Sequence, residues 1–339
     1  MSEKIEILMT MVFNDDLMKS LESISPRLNI RAFKASRVED IPPESWAITQ
    51  VLYTGNVLPA PEMAPNLRWV QFHYTGVDHA MDAPILHRPG VITTTLSGAS
   101  ASQVGEYILT MLLALGHHLP ELIENQRKMN WPKDRWERFA PREFRGATVG
   151  IVGYGSIGRQ VARLLHGFGA RVLATKNNAK NPRDMNYTSE GQGDPDGDYV
   201  HRIYPPEALR SMAKMCDFLV ITTPLTSKTR NLINGEVFRV MKESAFLVDA
   251  SRGGVVNEPD LIDALREHKI AGAALDVFAE EPLPSDSPLW KFQNVIITPH
   301  ISGISRHYNE RAVELFTINL LRFLEEAPLL NQVDWVEGY

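Results

Sequence analysis

Thr148-Val149-Gly150-Ile151-Val152-Gly153-Tyr154-Gly155-Ser156-Ile157-Gly158 decides the fold. A β-type run, Thr148–Val152, ends in a Gly-x-Gly-x-x-Gly turn, and the same turn opens a helix over Ser156–Phe168. In this setting Gly153 makes the tight turn. Gly155 lets the backbone approach a pyrophosphate, and Gly158 lets helix and strand pack closely. The N–H groups and dipole at the helix start suit phosphate charge, so Gly153, Gly155, Ser156, Ile157 and Gly158 are candidate contacts to a dinucleotide. The next strand, Val172–Ala174, leads into Thr175-Lys176-Asn177-Asn178. An enzyme specific for NAD places a carboxylate at that strand end, for the ribose 2′-hydroxyl. Lys176, with Asn177 beside it, suits a 2′-phosphate instead and favours NADP over NAD.

Outward from the turn, short apolar runs continue at Phe218–Ile221, Phe246–Val248, Ala273–Leu275 and Val295–Ile297, mostly separated by helical stretches. That alternation predicts an α/β fold with a Rossmann-type doubly wound parallel sheet. Upstream, Ile5–Thr10, Ile30–Phe33, Ala47–Tyr53, Leu67–Phe72 and Val91–Thr94 read as strands of a second, smaller α/β domain, with prolines marking the links. Ser100–His118 reads as a long apolar helix, continued by Glu121–Met129, and Ser305–Glu325 as the last helix. The tail from Ala327 is expected to rejoin the first domain. The division is then 1–99 with 304–339 for a discontinuous substrate domain, and 100–303 for the dinucleotide domain.

The polar stretch Asn177–Tyr204 interrupts the pattern and is longer than usual connections. Asp194, Asp196 and Asp198 have the spacing of a calcium loop, but Tyr199 and Pro205 stand where such a loop needs glycine and glutamate. A turn or hairpin is expected there, and no metal site.

The 339 residues carry a net charge of -6, which gives no basic footprint for nucleic acid. One cysteine, Cys216, leaves no disulfide framework and suits a reducing compartment. No apolar stretch has the length of a membrane span, and Met1–Phe13 has no signal-peptide pattern; a cytoplasmic protein is expected.

Three polar residues follow late strands: Arg252 in Asp249-Ala250-Ser251-Arg252-Gly253-Gly254, Glu281 in Ala279-Glu280-Glu281-Pro282, and His300 after Thr298-Pro299. Ligands of open α/β sheets bind at such strand ends. Together with the glycine turn, with Gly76-Val77-Asp78 and with Thr223-Pro224-Leu225, these segments resemble the D-isomer-specific 2-hydroxyacid dehydrogenases. The resemblance runs from about Trp69 to His300. It implies a flavodoxin-like first domain, hydride transfer between NAD(P)H and a small 2-keto or 2-hydroxy acid, and a catalytic triad of Arg252, Glu281 and His300. It also implies cofactor contacts at Thr223, Pro224, Ala250, Ser251 and Asp276, and a substrate-carboxylate loop at Thr75 and Gly76. Glyoxylate- and hydroxypyruvate-like substrates are favoured, and Glu281 argues against formate, since formate dehydrogenases carry glutamine there. Phosphoglycerate ranks lower, because no extra cationic cluster accompanies Thr75.

The chemistry agrees. A planar arginine fork can grip a 2-keto acid, an imidazolium can protonate its oxygen, and a carboxylate on the other ring nitrogen fixes the tautomer and favours the charged ring. The alternative is a cofactor-sensing interaction protein, since the C-terminal-binding-protein corepressors also resemble this family and keep the triad. Family resemblance further implies a homodimer built on Ser100–His118 and on Trp131–Arg145. Trp131 or Trp136 either reaches the neighbour or covers a seam in its own subunit. Two positions depart from the family pattern: Lys176, and Asp249, where asparagine is frequent and a change of small consequence is expected.

Overall fold

The computed structural model describes residues 4–335 and 337–338. It divides into two compact units, one running to Ser100 and resuming at Ser305, the other Ala101–Ile304.

In the first unit β1 (Ile5–Met9), α1 (Asp15–Glu22), β2 (Leu28–Ala32), α2 (Pro43–Ile48), β3 (Val51–Thr54), β4 (Trp69–Phe72) and β5 (Ile92–Thr94) follow one another. All pairings are parallel, in the order β2-β1-β3-β4-β5. This is the flavodoxin-like order, with its switch point between β1 and β3. The expected strand Ala47–Tyr53 is a helix end followed by a strand. Pro43 sits in the first turn of α2, where a missing N–H costs nothing, so the helix forms and runs to Ile48.

The second unit begins with α3 (Ala101–Gly116), α4 (Leu119–Arg127) and the single turn α5 (Arg135–Arg138). The expected continuous helix breaks at His118, whose φ is +55°. Then come β6 (Thr148–Val152), α6 (Ser156–Gly167), β7 (Arg171–Thr175), β8 (Arg202–Tyr204), α7 (Leu209–Ala213) and β9 (Phe218–Ile221). The unit continues through α8 (Gly235–Val240), β10 (Phe246–Asp249), α9 (Glu258–Arg266), β11 (Gly272–Leu275) and β12 (Val295–Ile297).

Seven strands align as β12-β11-β10-β9-β6-β7-β8, all parallel, and the order reverses between β6 and β9. That reversal opens a crevice at the carboxyl ends of β6 and β9, where ligands bind in open sheets. The sheet is buried on both faces. Val152, Leu173, Leu219, Leu247 and Ala273 enter one core; Ile151, Val172, Val220, Val248 and Ala274 enter the other, as period-two strands require. Strand β8 has no counterpart among the runs read from sequence, because only Ile203 and Tyr204 mark it as apolar.

The last helix, α10 (Tyr308–Leu324), packs Val313, Phe316 and Leu320 into the core of the first unit. Beyond it Gln332 forms an antiparallel bridge with Thr94, and Asn331 donates to the Ser97 carbonyl at 2.7 Å. Among the described residues no helix is long and apolar enough to cross a membrane.

Candidate active site

The glycine turn is shaped by its neighbours. Gly153 has φ +101°, and a Cβ there would lie 2.9 Å from the Thr223 backbone, so the ends of β6 and β9 meet only around glycine. A Cβ on Gly158 would overlap the Gly153 carbonyl. Gly155, in contrast, has nothing within 4 Å of its Cβ position. It stands directly before α6, whose start has no side-chain cap and no acidic residue in its first turn. An open space at Gly155, before a helix start that lacks a side-chain cap, fits a pyrophosphate. Thr222 accompanies the candidate residues Thr223 and Pro224, and its hydroxyl donates to the Gly153 carbonyl at 2.9 Å.

At the end of β7, Lys176 is partly exposed, but its ammonium is engaged by the chain. Its ammonium donates to the carbonyls of Asn181 and Arg183, both at 2.9 Å. Burial, and then the nearby Arg159 guanidinium, lower its pKa, against the pull of Asp184. The Asn177–Tyr204 segment folds back on the glycine turn. Asp194, once a calcium candidate, is buried and accepts the Gly197, Asp198 and Tyr199 N–H groups and the Tyr154 hydroxyl. Among the described residues no cluster of three or more His, Cys, Asp or Glu could hold a metal.

The three candidate catalytic residues stand at the ends of β10, β11 and β12. Glu281 Oε2 lies 2.8 Å from His300 Nδ1, and its Oε1 accepts the Phe278 N–H at 3.0 Å. With Nδ1 so engaged, Nε2 is the ring nitrogen left to meet a substrate oxygen. Both side chains are partly accessible, 44% for His300 and 35% for Glu281, as groups that meet a substrate must be.

His300 has φ +52°, a costly conformation for a non-glycine residue. Asp276 holds it: its carbonyl accepts the His300 N–H, and its carboxylate accepts Ile301 N–H, Ser302 N–H and the Thr298 hydroxyl. Tyr107 Oη lies 2.7 Å from that hydroxyl, and burial pushes the phenol up. The resemblance implied only a cofactor contact for Asp276. Its role in shaping the His300 turn could be suspected from a lone acid after an apolar strand.

Arg252 Nη1 donates to the Ser251 carbonyl at 2.8 Å. A Cβ on the next residue, Gly253, would overlap the Phe278 carbonyl, so the arginine loop rests on the loop that orients Glu281. Thr75 and Gly76 lie in the other unit, after β4. The root of their loop is tied down by His73, whose carbonyl accepts the Tyr308 hydroxyl at 2.7 Å. The His73 ring, 2.7 Å from Tyr53 Oη, is pushed down to about 4 by burial and stays neutral at physiological pH.

Asp249 has a larger consequence than its sequence suggests. It is buried beside Asp276 and accepts Ser251 N–H at 3.0 Å and the Ser251 hydroxyl at 2.6 Å. Burial raises its pKa to about 7, opposed by Ser251 and reinforced by Asp276. A carboxyl with a raised native pKa holds a proton that the unfolded chain releases near pH 4. Its cost therefore grows as pH rises from about 4 to about 7 and is constant above. Asp249→Asn removes that cost. Its gain in Tm over wild type should increase across this window, reaching about 5 °C at pH 8. Thermal melts from pH 5 to 8 decide it, and a pH-independent difference would show that Asp249 is not protonated.

A family model, D-isomer specific 2-hydroxyacid dehydrogenase, NAD binding domain, matches residues 109–302. A glyoxylate reductase of Thermofilum pendens is 34% identical over 273 residues, 79% of this chain and 75% of that protein. A hydroxypyruvate reductase of Blautia hydrogenotrophica is 29% identical over 82% of this chain and 83% of its own length. Among solved structures, a D-isomer specific 2-hydroxyacid dehydrogenase of Xanthobacter autotrophicus, in complex with NADPH and MES, superposes with a TM-score of 0.80 at 27% identity. It covers 99% of this chain and 100% of its own. With these likenesses, the chain belongs to the D-isomer specific 2-hydroxyacid dehydrogenases and is an oxidoreductase with a nicotinamide-binding domain.

Proposed function

We propose that the protein reduces small 2-keto acids such as glyoxylate and hydroxypyruvate with NADPH in preference to NADH. The observation that carries the reading is the Glu281–His300 pair, at 2.8 Å, beyond β11 and β12, with Arg252 following the adjacent strand β10. The glyoxylate and hydroxypyruvate reductases among its relatives support the substrate class.

Gly155, Ser156 and Ile157 hold the pyrophosphate, with Thr223, Pro224, Ala250, Ser251 and Asp276 along the dinucleotide. Bound there, the nicotinamide supplies the hydride that reduces C2. Arg252 grips the carboxylate and keto oxygen, and the backbone at Thr75 and Gly76, in the first unit, remains the candidate loop for a substrate carboxylate. His300 Nε2 hands a proton to the keto oxygen, and Glu281, on Nδ1, holds the ring's orientation and fixes the tautomer of the neutral ring that remains. In the oxidative direction the same nitrogen takes the proton back.

The cofactor preference rests on Lys176, and the NADPH complex of the Xanthobacter structure is consistent with it. Two of the three ammonium donors are spent on Asn181 and Arg183, which leaves one for a 2′-phosphate. A single partly screened contact of this kind gives about a five- to tenfold preference, weaker at high salt. Assays on glyoxylate, hydroxypyruvate and pyruvate, with NADPH and NADH in parallel, test the whole reading. Negligible turnover on all three would refute this substrate class. Lys176→Asp should reverse the NADPH-to-NADH ratio of kcat/KM, and an unchanged ratio would remove Lys176 from the site.

We read the chain as a cytoplasmic homodimer. The support is a run of exposed apolar side chains on and after α4: Leu119, Leu122, Ile123, Met129, Trp131 and Trp136, the last three 94%, 81% and 79% exposed. A monomeric mass in solution would refute the dimer.

A further inference from the structure

Arg159 is a buried cation three residues into the dinucleotide helix, only 1% exposed, and the proposed chemistry has no use for it. A charge so placed needs partners to offset its desolvation. Among the described residues, the oxygen partners of its guanidinium come from the Asn177–Tyr204 segment. It donates to the carbonyls of Asp194 and, at 2.6 Å, Pro182, and it lies 3.2 Å from the Asp184 carboxylate. Its guanidinium also covers the ring of Tyr154, the residue between the first two fingerprint glycines, whose hydroxyl donates to Asp194. One residue further on, Gln160 accepts the Gly193 N–H at 2.7 Å. The segment is therefore bolted to the phosphate turn, and its Asn181 and Arg183 carbonyls reach back to the Lys176 ammonium.

We propose that residues 177–199 form a clamp on the 2′-phosphate end of the dinucleotide site, fixing Lys176 and so setting the choice between NADPH and NADH. The clamp rests on the reading of Lys176 as the 2′-phosphate contact.

A lysine on its flexible four-carbon stem loses rotamer freedom when it grips a phosphate. Here the two carbonyls have already removed that freedom, so the ammonium is preorganised. Arg159 is close enough to disfavour the charge on Lys176. A 2′-phosphate dianion relieves that repulsion between two cations, and NADH leaves it in place.

Asp194, Tyr154 and Arg159 are positioning residues in this scheme, acting through Lys176. A double-mutant cycle separates that action from a general loosening of the turn. Asp194→Ala unfastens the clamp, and the NADPH-to-NADH ratio of kcat/KM should fall about fivefold, with the loss on KM for NADPH and not on KM for the keto acid. In a Lys176→Met background the same substitution should change the ratio less than about twofold, because the group it positions is gone. An equal shift in both backgrounds, or no shift in either, overturns the clamp. Should Asp194→Ala fail to fold, Tyr154→Phe removes one hydroxyl, keeps the ring over Arg159 and runs the same cycle with about a twofold effect. The wild-type ratio is read separately. A wild type that favours NADH overturns the Lys176 assignment and the clamp with it, whereas one that favours NADPH with a flat cycle overturns the clamp alone.

Discussion

His300→Ala is expected to lower kcat for keto-acid reduction by roughly 10²–10⁴, the usual contribution of a positioned acid, while NADPH binding stays within about twofold of wild type. The loss is confined to chemistry because His300 occupies its own turn. Its backbone is held by the Asp276 carbonyl and its ring by Glu281, while the glycine turn lies at the ends of β6 and β9. Alanine at φ +52° adds strain of its own, so a second substitution is needed to interpret the first. Asparagine tolerates the left-handed region better than other non-glycine residues and carries no exchangeable acid near neutral pH. His300→Asn should therefore lose as much activity as His300→Ala and keep more of the wild-type Tm.

Glu281→Gln keeps shape and loses charge. Its loss should be smaller, about tenfold, because the amide oxygen can still accept the ring N–H and hold the ring in place, with a neutral hydrogen bond where there was a charge-assisted one. Steady-state and single-turnover rates from pH 6 to 9 decide the matter. A His300→Ala enzyme within about tenfold of wild type would mean that the proton comes from elsewhere.

The fold was legible where burial leaves a simple trace. The strands of the second unit are covered on both faces, so they read as continuous apolar runs, and the glycine turn identifies which of them carries the dinucleotide. Strand β8 escaped because its three residues include exposed Arg202, and because it pairs only with β7, at the sheet edge. At 43–54 a helix and a strand share one apolar stretch, and periodicity cannot separate them.

Candidate site residues stand out in the sequence where a motif surrounds them, as with Arg252 and His300. Arg159, Gln160 and Asp194 do not, because on a helix or in a polar loop they look like surface residues. Arg159 and Gln160 meet partners more than 20 residues away, Asp194 is tied to Tyr154 and Arg159 across a similar gap, and only the folded chain shows that Arg159 is buried. Asp249 was misjudged for a related reason: asparagine and aspartate have the same outline, and the difference matters only once the group is out of water beside Asp276.

Arg252→Lys is expected to reduce kcat/KM for glyoxylate and hydroxypyruvate roughly ten- to a hundredfold, the equivalent of one lost charge-assisted hydrogen bond of about 1.5–3 kcal/mol. Charge alone does not rescue the site. A keto acid offers a carboxylate oxygen and the C2 oxygen side by side, and a planar fork meets both, whereas an ammonium is a point charge that meets one well. The backbone cannot shift to compensate. Gly253 is packed against the Phe278 carbonyl so closely that even a Cβ would not fit, and the Phe278 N–H is what orients Glu281. Any movement that brought a lysine nearer the substrate would pull on the loop that sets the acid. Misplacing reacting groups by about 1 Å can itself cost about a hundredfold. The lysine variant is therefore left with either the wrong reach or a disturbed Glu281–His300 pair. The loss should appear in kcat/KM for the keto acid and not in the KM for NADPH, since the role proposed for Arg252 is to hold the substrate and not the dinucleotide. Wild-type kinetics in Arg252→Lys would mean that some other group anchors the carboxylate. A loss confined to the KM for NADPH would place Arg252 on the cofactor instead.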